Sequence, residues 1–326
     1  MEPIDRQIVQ CLVYDGRAPF RRIAEVLGVS EQTIARHYRA LQAGGALRVR
    51  GLLDSRATGQ QRWFVRVQCR PDAADALAEA IATREDVAWV STTSGGSEIV
   101  CVAFTDADTT RGSVLARLPR TSQVLSFAAF AVLHMHVGSD AKWLAFDEPL
   151  GQDQLAVLRA GKLVRSDRER AEVIRDEDAA LVAELGRDGR IGTVALAKAT
   201  GWPQSRVSSR LEELLSSRSV HIALDLAPAQ FGFHTTAYLW LTVNPGDLDA
   251  TGKALSLHPE TTFCAAVTGA ANLLVTVTCR DSEDLYTFVT AKVGVLSSVH
   301  QVEIVPVLNR LKQAGTRVHN GRLVAE

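Results

Sequence analysis

The sequence predicts an α+β chain of two winged helix-turn-helix domains and two ferredoxin-like βαββαβ ligand or assembly domains in tandem. Three observations carry this reading. Helical periodicity up to Leu53 is cut by a tight glycine turn, strand and helix patterns alternate from Trp63 to Val137, and both patterns return about 173 positions later. The expected domains are 1–53, 60–137, 177–226 and 234–313, with a linker at 138–176.

Ile4 to Asp15 reads as a first helix, with Ile4, Ile8, Cys11 and Leu12 along one side. Pro19 to Leu27 is a second. It runs into Gly28-Val29-Ser30, where glycine accepts the positive φ of a tight turn and Ser30 caps a third helix opening at Glu31. Ile34, Tyr38 and Leu41 make the apolar stripe of that helix, which leaves Gln32, Thr33, Arg36 and Arg39 outward. A polar, arginine-bearing helix face after a tight turn is how proteins enter a DNA major groove. Gly44-Gly45 ends the helix, and Ala46 to Leu53 fits a wing strand.

Beyond a polar bend, Trp63 to Cys69 alternates as a strand and Pro71 starts an alanine-rich helix through Ala82. Strands at Val87–Thr93 and Glu98–Phe104 flank the turn Ser94-Gly95-Gly96-Ser97. Asp108 to Leu118 reads as helix, and Val124 to Val137 as a long last strand. That order is the split βαβ arrangement. Asp147 to Gly151 reads as a loop and Arg165 to Asp176 as a mixed-charge run that fits a solvated helix, so the linker is expected to be partly helical.

The scheme then recurs. At a constant offset of 173, Asp5 maps to Asp178, Asp15-Gly16-Arg17 to Asp188-Gly189-Arg190, Gly28 to Gly201 and Leu41 to Leu214. Gly95 maps to Gly269 and Leu133 to Leu308 after two single-residue insertions.

Composition bounds the function. A net charge of −1 gives no global field for nucleic acid, so any DNA contact must be local. Residues 1–53 supply it, with eight arginines against five acids, and guanidinium forks suit phosphate and guanine edges. Five scattered cysteines without a C-x-x-C point to buried thiols of a reducing cytoplasm, with neither a disulfide framework nor a zinc site, and no metal is expected. No apolar run is long enough to span a bilayer, and Met1 leads directly into a charged helix, so the expected location is cytoplasmic.

Asp5 with Ile8 and Leu12, Asp15-Gly16-Arg17, Ile23-Ala24-Glu25, Leu27-Gly28-Val29-Ser30 and Arg36 through Leu41 together resemble the Lrp/AsnC, or feast/famine, regulators in a tandem double-unit form. Asp178, Asp188-Gly189-Arg190, Leu196-Ala197, Gly201, Arg210, Leu211-Glu212 and Thr268-Gly269 carry the likeness into the second half. The resemblance implies a transcriptional regulator that binds double-stranded DNA, assembles as a homo-oligomer of at least two copies, and answers to an amino acid or related metabolite. It implies no cofactor and no enzymatic activity. The DNA-contacting candidates are Arg17, Arg21, Arg22, Ser30, Gln32, Thr33, Arg36 and Arg39, with Arg190, Gln204, Ser205, Arg206 and Arg210 in the second half. The effector candidates are Thr93, Gly95, Ser97, Glu98, Gly269 and Asn272. The sequence departs from the family pattern after the turn glycine, with Ser97-Glu98 in one half and Ala271-Asn272 in the other.

A rival class shares the architecture. Sirohaem decarboxylases are enzymes that would use ligand-domain histidines on a tetrapyrrole, and the outward face of Gln32, Thr33, Arg36 and Arg39 favours DNA over that reading. His134 and His136 alternate on the last strand of the first ligand domain and so share a face, but the sequence shows no third ligand at neighbouring spacing. No phosphate loop and no Ser/His/Asp motif is present.

Overall fold

A computed structural model describes residues 2–106, 111–138, 146, 149–159 and 174–324. In chain order the first half gives α1 (Pro3–Tyr14), α2 (Phe20–Leu27), α3 (Glu31–Ala43), β1 (Leu47–Leu53), α4 (Ser55–Thr58), β2 (Gln60–Cys69), α5 (Ala74–Ala82), β3 (Val87–Thr93), β4 (Glu98–Asp106), α6 (Val114–Arg117) and β5 (Val124–Val137). Helix α7 (Gln152–Arg159) follows. The second half gives α8 (Ala179–Arg187), α9 (Thr193–Thr200), α10 (Gln204–Ser216), β6 (Val220–Leu226), β7 (Thr235–Val243), α11 (Leu248–Ser256), β8 (Thr261–Val267), β9 (Leu273–Cys279), α12 (Ser282–Phe288), β10 (Val299–Gln313), β11 (Thr316–His319) and β12 (Arg322–Leu323). The chain divides into two compact units, 1–60 with 146–226 and 61–145 with 227–326, so like domains of the two halves are grouped together.

In the first unit the local signals act as their chemistry dictates. Gly28 closes α2 at φ 65° and Gly201 closes α9 at φ 71°. The Ser30 hydroxyl accepts from the Thr33 amide at 3.1 Å and caps α3. The strand expected as a wing does something else: β1 pairs antiparallel with β6, from Leu47 opposite Leu226 to Leu53 opposite Val220. Arg50 faces Ala223, its own counterpart in the repeat, so the ladder is centred on the two-fold relation between the halves. The pairing needs close backbone approach. A Cβ on Gly189 would lie 2.8 Å from the Arg50 backbone, and one on Gly16 2.6 Å from Ile222 Cγ2.

Part of the expected linker is ordered helix. Leu158 of α7 is fully buried, Gln154 donates to the Val26 carbonyl at 3.1 Å, and the Leu150 amide donates to Gln10 at 2.9 Å. Residues 165–173 of the charged run, Asp147-Glu148 of the expected loop, and Asp108 at the expected start of a helix lie outside the described residues. The helix described in that last region is α6, with Leu118–Arg120 adding a 3-10 turn.

In the second unit both βαββαβ domains form, and their strands close one ring. The order is β10-β3-β4-β2-β5-β8-β9-β7, with β7 returning to β10. The two closures are equivalent. Val132 and His134 of β5 face Val267 and Ala266 of β8, while Val307 and Asn309 of β10 face Thr93 and Thr92 of β3. Phe64, Val100, Val102, Tyr238, Trp240, Val267, Leu274 and Val305, drawn from both domains, make a shared core. An eight-stranded ring is just wide enough for side chains to fill. Each domain also has its own helix-covered core, around Ala78, Ile81, Cys101 and Val114 in the first and Leu255, Cys264, Leu285 and Phe288 in the second.

Candidate functional site

Helix α3 presents Gln32, Arg36 and Arg39 to solvent with Thr33 half-buried beside them, while Arg21 is exposed and Arg22 half-buried on α2. Ser30 is exposed, and its hydroxyl is held in the cap, 2.8 Å from Thr33 Oγ1. The helix is seated by His37, which is buried with Nδ1 2.8 Å from Asp5 Oδ1 on α1. One Arg36 terminal nitrogen lies 3.3 Å from His37 Nε2, so the seating pair also orients this arginine.

The second half keeps the scaffold and changes the face. Gln204, Ser205 and Arg206 of α10 are exposed; Gln204 donates to Thr193 Oγ1 at 3.0 Å, and Arg206 stacks 4.0 Å above Trp202 while donating to Glu177 at 2.6 Å. Arg210 corrects the expectation of a DNA contact. It is buried and donates to both oxygens of the fully buried Asp178, at 3.0 and 2.7 Å, and to Glu213 at 2.6 Å. It takes the place of His37, and Asp178 that of Asp5.

Arg17 and Arg190 are corrected in the same way. Arg17 donates to the carbonyls of Gly189 and Ile191 at 2.5 and 3.0 Å, and Arg190 to those of Gly16 and Ala18 at 2.6 and 2.8 Å. Arg190 also lies 4.6 Å over the Phe20 ring. Burial, with mutual repulsion in the case of Arg17, lowers both pKa values from the ordinary arginine range. Arg50 is drawn inward too, with Nε donating to the Gly186 carbonyl. The exposed basic face is therefore Arg36 and Arg39 with Arg21 and the half-buried Arg22.

The effector candidates occupy the β3–β4 and β8–β9 turns. Glu98 is fully buried and accepts from Arg66 Nε at 2.7 Å, Gln68 at 2.9 Å, Thr93 at 2.8 Å and Ser94 at 3.2 Å. Thr93 and Glu98 are thus bound to each other. Ser97 Oγ donates to the Ser94 carbonyl at 3.0 Å. Gly95 is exposed at φ 67° with open space around it, whereas Gly269 at φ 109° sits where a Cβ would stand 2.9 Å from the Phe130 ring. The Asn272 amide is committed to strand β7, bonded to the Val243 amide and carbonyl at 2.9 and 2.8 Å.

Two groups escaped the sequence reading. Arg66 forks onto Glu303 with two bonds of 2.8 Å while holding Glu98, and its guanidinium lies 5.3 Å over Trp240. The Arg66 bond holds the half-exposed Glu303 below the usual carboxylate range. Only folding brings positions 66 and 303 together; nothing local signals the pair.

The AsnC-type helix-turn-helix domain family matches residues 1–42, and the Lrp/AsnC ligand-binding domain family matches residues 236–316. An uncharacterised HTH-type transcriptional regulator of Pyrococcus abyssi is 23% identical over 154 residues, 47% of this chain and 97% of the relative. The HTH-type transcriptional regulator FL11 of Pyrococcus furiosus is 23% identical over 142 residues, 43% of this chain and 93% of the relative. Among solved structures, the siroheme decarboxylase NirDL superposes over 94% of this chain and 92% of its own at a TM-score of 0.62, with 10% identity, a likeness of fold alone. A helix-turn-helix match at one end, a ligand-domain match at the other and regulators among the relatives converge: the chain carries an AsnC-type helix-turn-helix domain and an Lrp/AsnC ligand-binding domain.

Proposed function

We propose that the chain is a sequence-specific DNA-binding regulator, not an enzyme, whose first helix-turn-helix does most of the reading and whose DNA binding or assembly answers to an amino-acid-like metabolite. One observation carries the first part. Helix α3 exposes Arg36 and Arg39, while the same positions of α10 are Ser209 and Glu212. Arginines in a major groove gain phosphate and guanine contacts, and a carboxylate in their place is repelled. The test is recovery of genomic fragments by the purified chain. A shared sequence motif among the fragments supports the reading; salt-dependent retention without sequence preference sinks it.

The effector reading rests on the β3–β4 turn and on Arg66. A metabolite carboxylate would compete with the half-exposed Glu303 for the Arg66 fork, and Gly95 leaves the turn open to approach. Gly95→Trp should abolish any metabolite-dependent change in DNA affinity; an unchanged response moves the site to the Gly269 turn. Leu125 and Leu133 on β5 and Leu308 on β10 are more than half exposed, which supports association between copies of the chain. The whole-chain likeness of fold to a siroheme decarboxylase supports a second reading, for which tetrapyrrole absorbance in the purified protein is the discriminating measurement.

A further inference from the structure

We propose that His134, His136 and Asp249 form a binding site for one divalent transition-metal ion, of which zinc is the best fit. The two histidines alternate on β5 and share a face. Their rings lie 4.7 Å apart, edge to face. Helix α11 of the other βαββαβ domain brings Asp249 to them, and one ligand atom from each of the three residues lies within 4.8 Å of the others. His136 Nδ1 is 4.0 Å from Asp249 Oδ1. Ligand atoms on a tetrahedral zinc with bonds of about 2.0 Å stand about 3.3 Å apart. His134 and Asp249 are exposed, so side-chain rotation alone can draw the atoms in.

The repeat supplies an internal control. The counterparts of His134 and His136 on β10 are Asn309 and Leu311, and those of Asp249 and Gly252 on α5 are Asp75 and Ala78. Leu311 and Ala78 belong to one buried apolar cluster, so that half fills the position with hydrocarbon. In the other half the His136 ring sits directly on Gly252, where any Cβ would overlap the imidazole. Glycine inside a helix is less stable than alanine, because it loses more backbone freedom on folding. An imidazole also resists burial more than a leucine does. Both substitutions work against simple packing, and together they make room for a nitrogen ligand beside an acid. Asp75, with Asn309 and Leu311 where the histidines would stand, is the bland state of the same helix position.

The donor set is two imidazole nitrogens and one carboxylate oxygen, which suits zinc and its borderline neighbours and leaves a fourth position for water. Lys253 lies 2.6 Å from Asp249 Oδ2 and occupies the other carboxylate oxygen, leaving Oδ1 toward His136. Because β5 and α11 come from different βαββαβ domains, the ion would clip together the two that share the ring, beside the β5–β8 seam.

The test uses the full, untagged chain stripped with chelator and titrated with zinc by calorimetry, and with cobalt followed by absorption. One ion per chain, a cobalt spectrum of low-symmetry four-coordination, and a zinc-dependent rise in melting temperature are expected. His134→Ala and Asp249→Asn should each weaken zinc at least tenfold, while Asn309→Ala leaves it unchanged. The double variant His136→Leu with Gly252→Ala copies the packing of the other half; it should stay folded and lose the ion. Absence of micromolar zinc binding, or binding that all of these variants retain, overturns the proposal.

Discussion

Arg17 and Arg190 are exchanged between the two helix-turn-helix domains: each guanidinium donates to two carbonyls in the turn that carries the other. The pair sits at equivalent positions of the repeat, so one contact is made twice across the same two-fold relation. These arginines fasten the two helix-turn-helix domains together, and Arg36 and Arg39 of α3 are left exposed to solvent.

Arg17→Ala and Arg190→Ala should therefore act on stability. Hydrogen bonds from a charged group contribute about 1.5–3 kcal/mol. Each variant should lose about that much in urea unfolding of the first unit, and together they should be non-additive because they share one interface. Normal unfolding with weakened DNA binding would return both arginines to the DNA-contacting set.

Arg36→Ala should reduce operator affinity by about 1–3 kcal/mol if the side chain reads a guanine edge, with stability held within about 0.5 kcal/mol. Arg206→Ala should cost clearly less affinity, since its guanidinium is already engaged by Trp202 and Glu177. Both are measured on one operator at one salt concentration. Equal losses, or a larger one from Arg206, contradict the dominance of the first head.

Gly189→Ala should disrupt the β1–β6 ladder, because the new Cβ would stand 2.8 Å from backbone that cannot yield cheaply. Overpacking of this kind costs about 1–3 kcal/mol. Gly246→Ala, with open space at its Cβ, is the tolerated comparison. Thermal melts of the two variants should separate; coincident melts would show that the ladder relaxes.

Acid should loosen the first unit through Asp178. Burial alone would raise its pKa, but the Arg210 fork and the Arg175 amide outweigh burial and hold the carboxyl below its ordinary value. A carboxyl depressed in the folded state adds stability that is complete above the unfolded value of about 3.9 and is lost as pH falls through the lower folded value. Asp178→Asn should be less stable at neutral pH and should flatten the acid limb of the stability curve. An unaltered acid limb would assign the slope to other carboxylates.

The helices and turns are legible in the sequence because their signals are local. Gly28, Ser30 and the stripe Ile34, Tyr38 and Leu41 act within a few residues of each other, and α2 and α3 form where they point. The succession of strands and helices along each βαββαβ domain follows equally from alternation and turn residues. Which strands pair across the halves is not legible, since Leu47 reaches Leu226 and Val132 reaches Val267 only after folding. The arginines are harder still, because exposure of a guanidinium depends on carbonyls and acids far away in sequence. One clue lies in the repeat itself: Arg210 and Asp178 hold the same offsets as His37 and Asp5, a pair whose chemistry has changed in step. For the histidines, the missing third ligand is Asp249, on a helix of the other half.

The closed ring of strands has a consequence for how this protein can vary. In a regulator built from two identical subunits, every substitution appears twice and the assembly falls apart on dilution. Here both halves of the ring belong to one polypeptide, so its closure is independent of protein concentration. A change such as glycine for alanine at position 252, or serine for arginine at 209, is made in one half alone. The fusion turns an obligate symmetric pair into a permanently matched unequal one, in which one side can take on a task that the other never acquires.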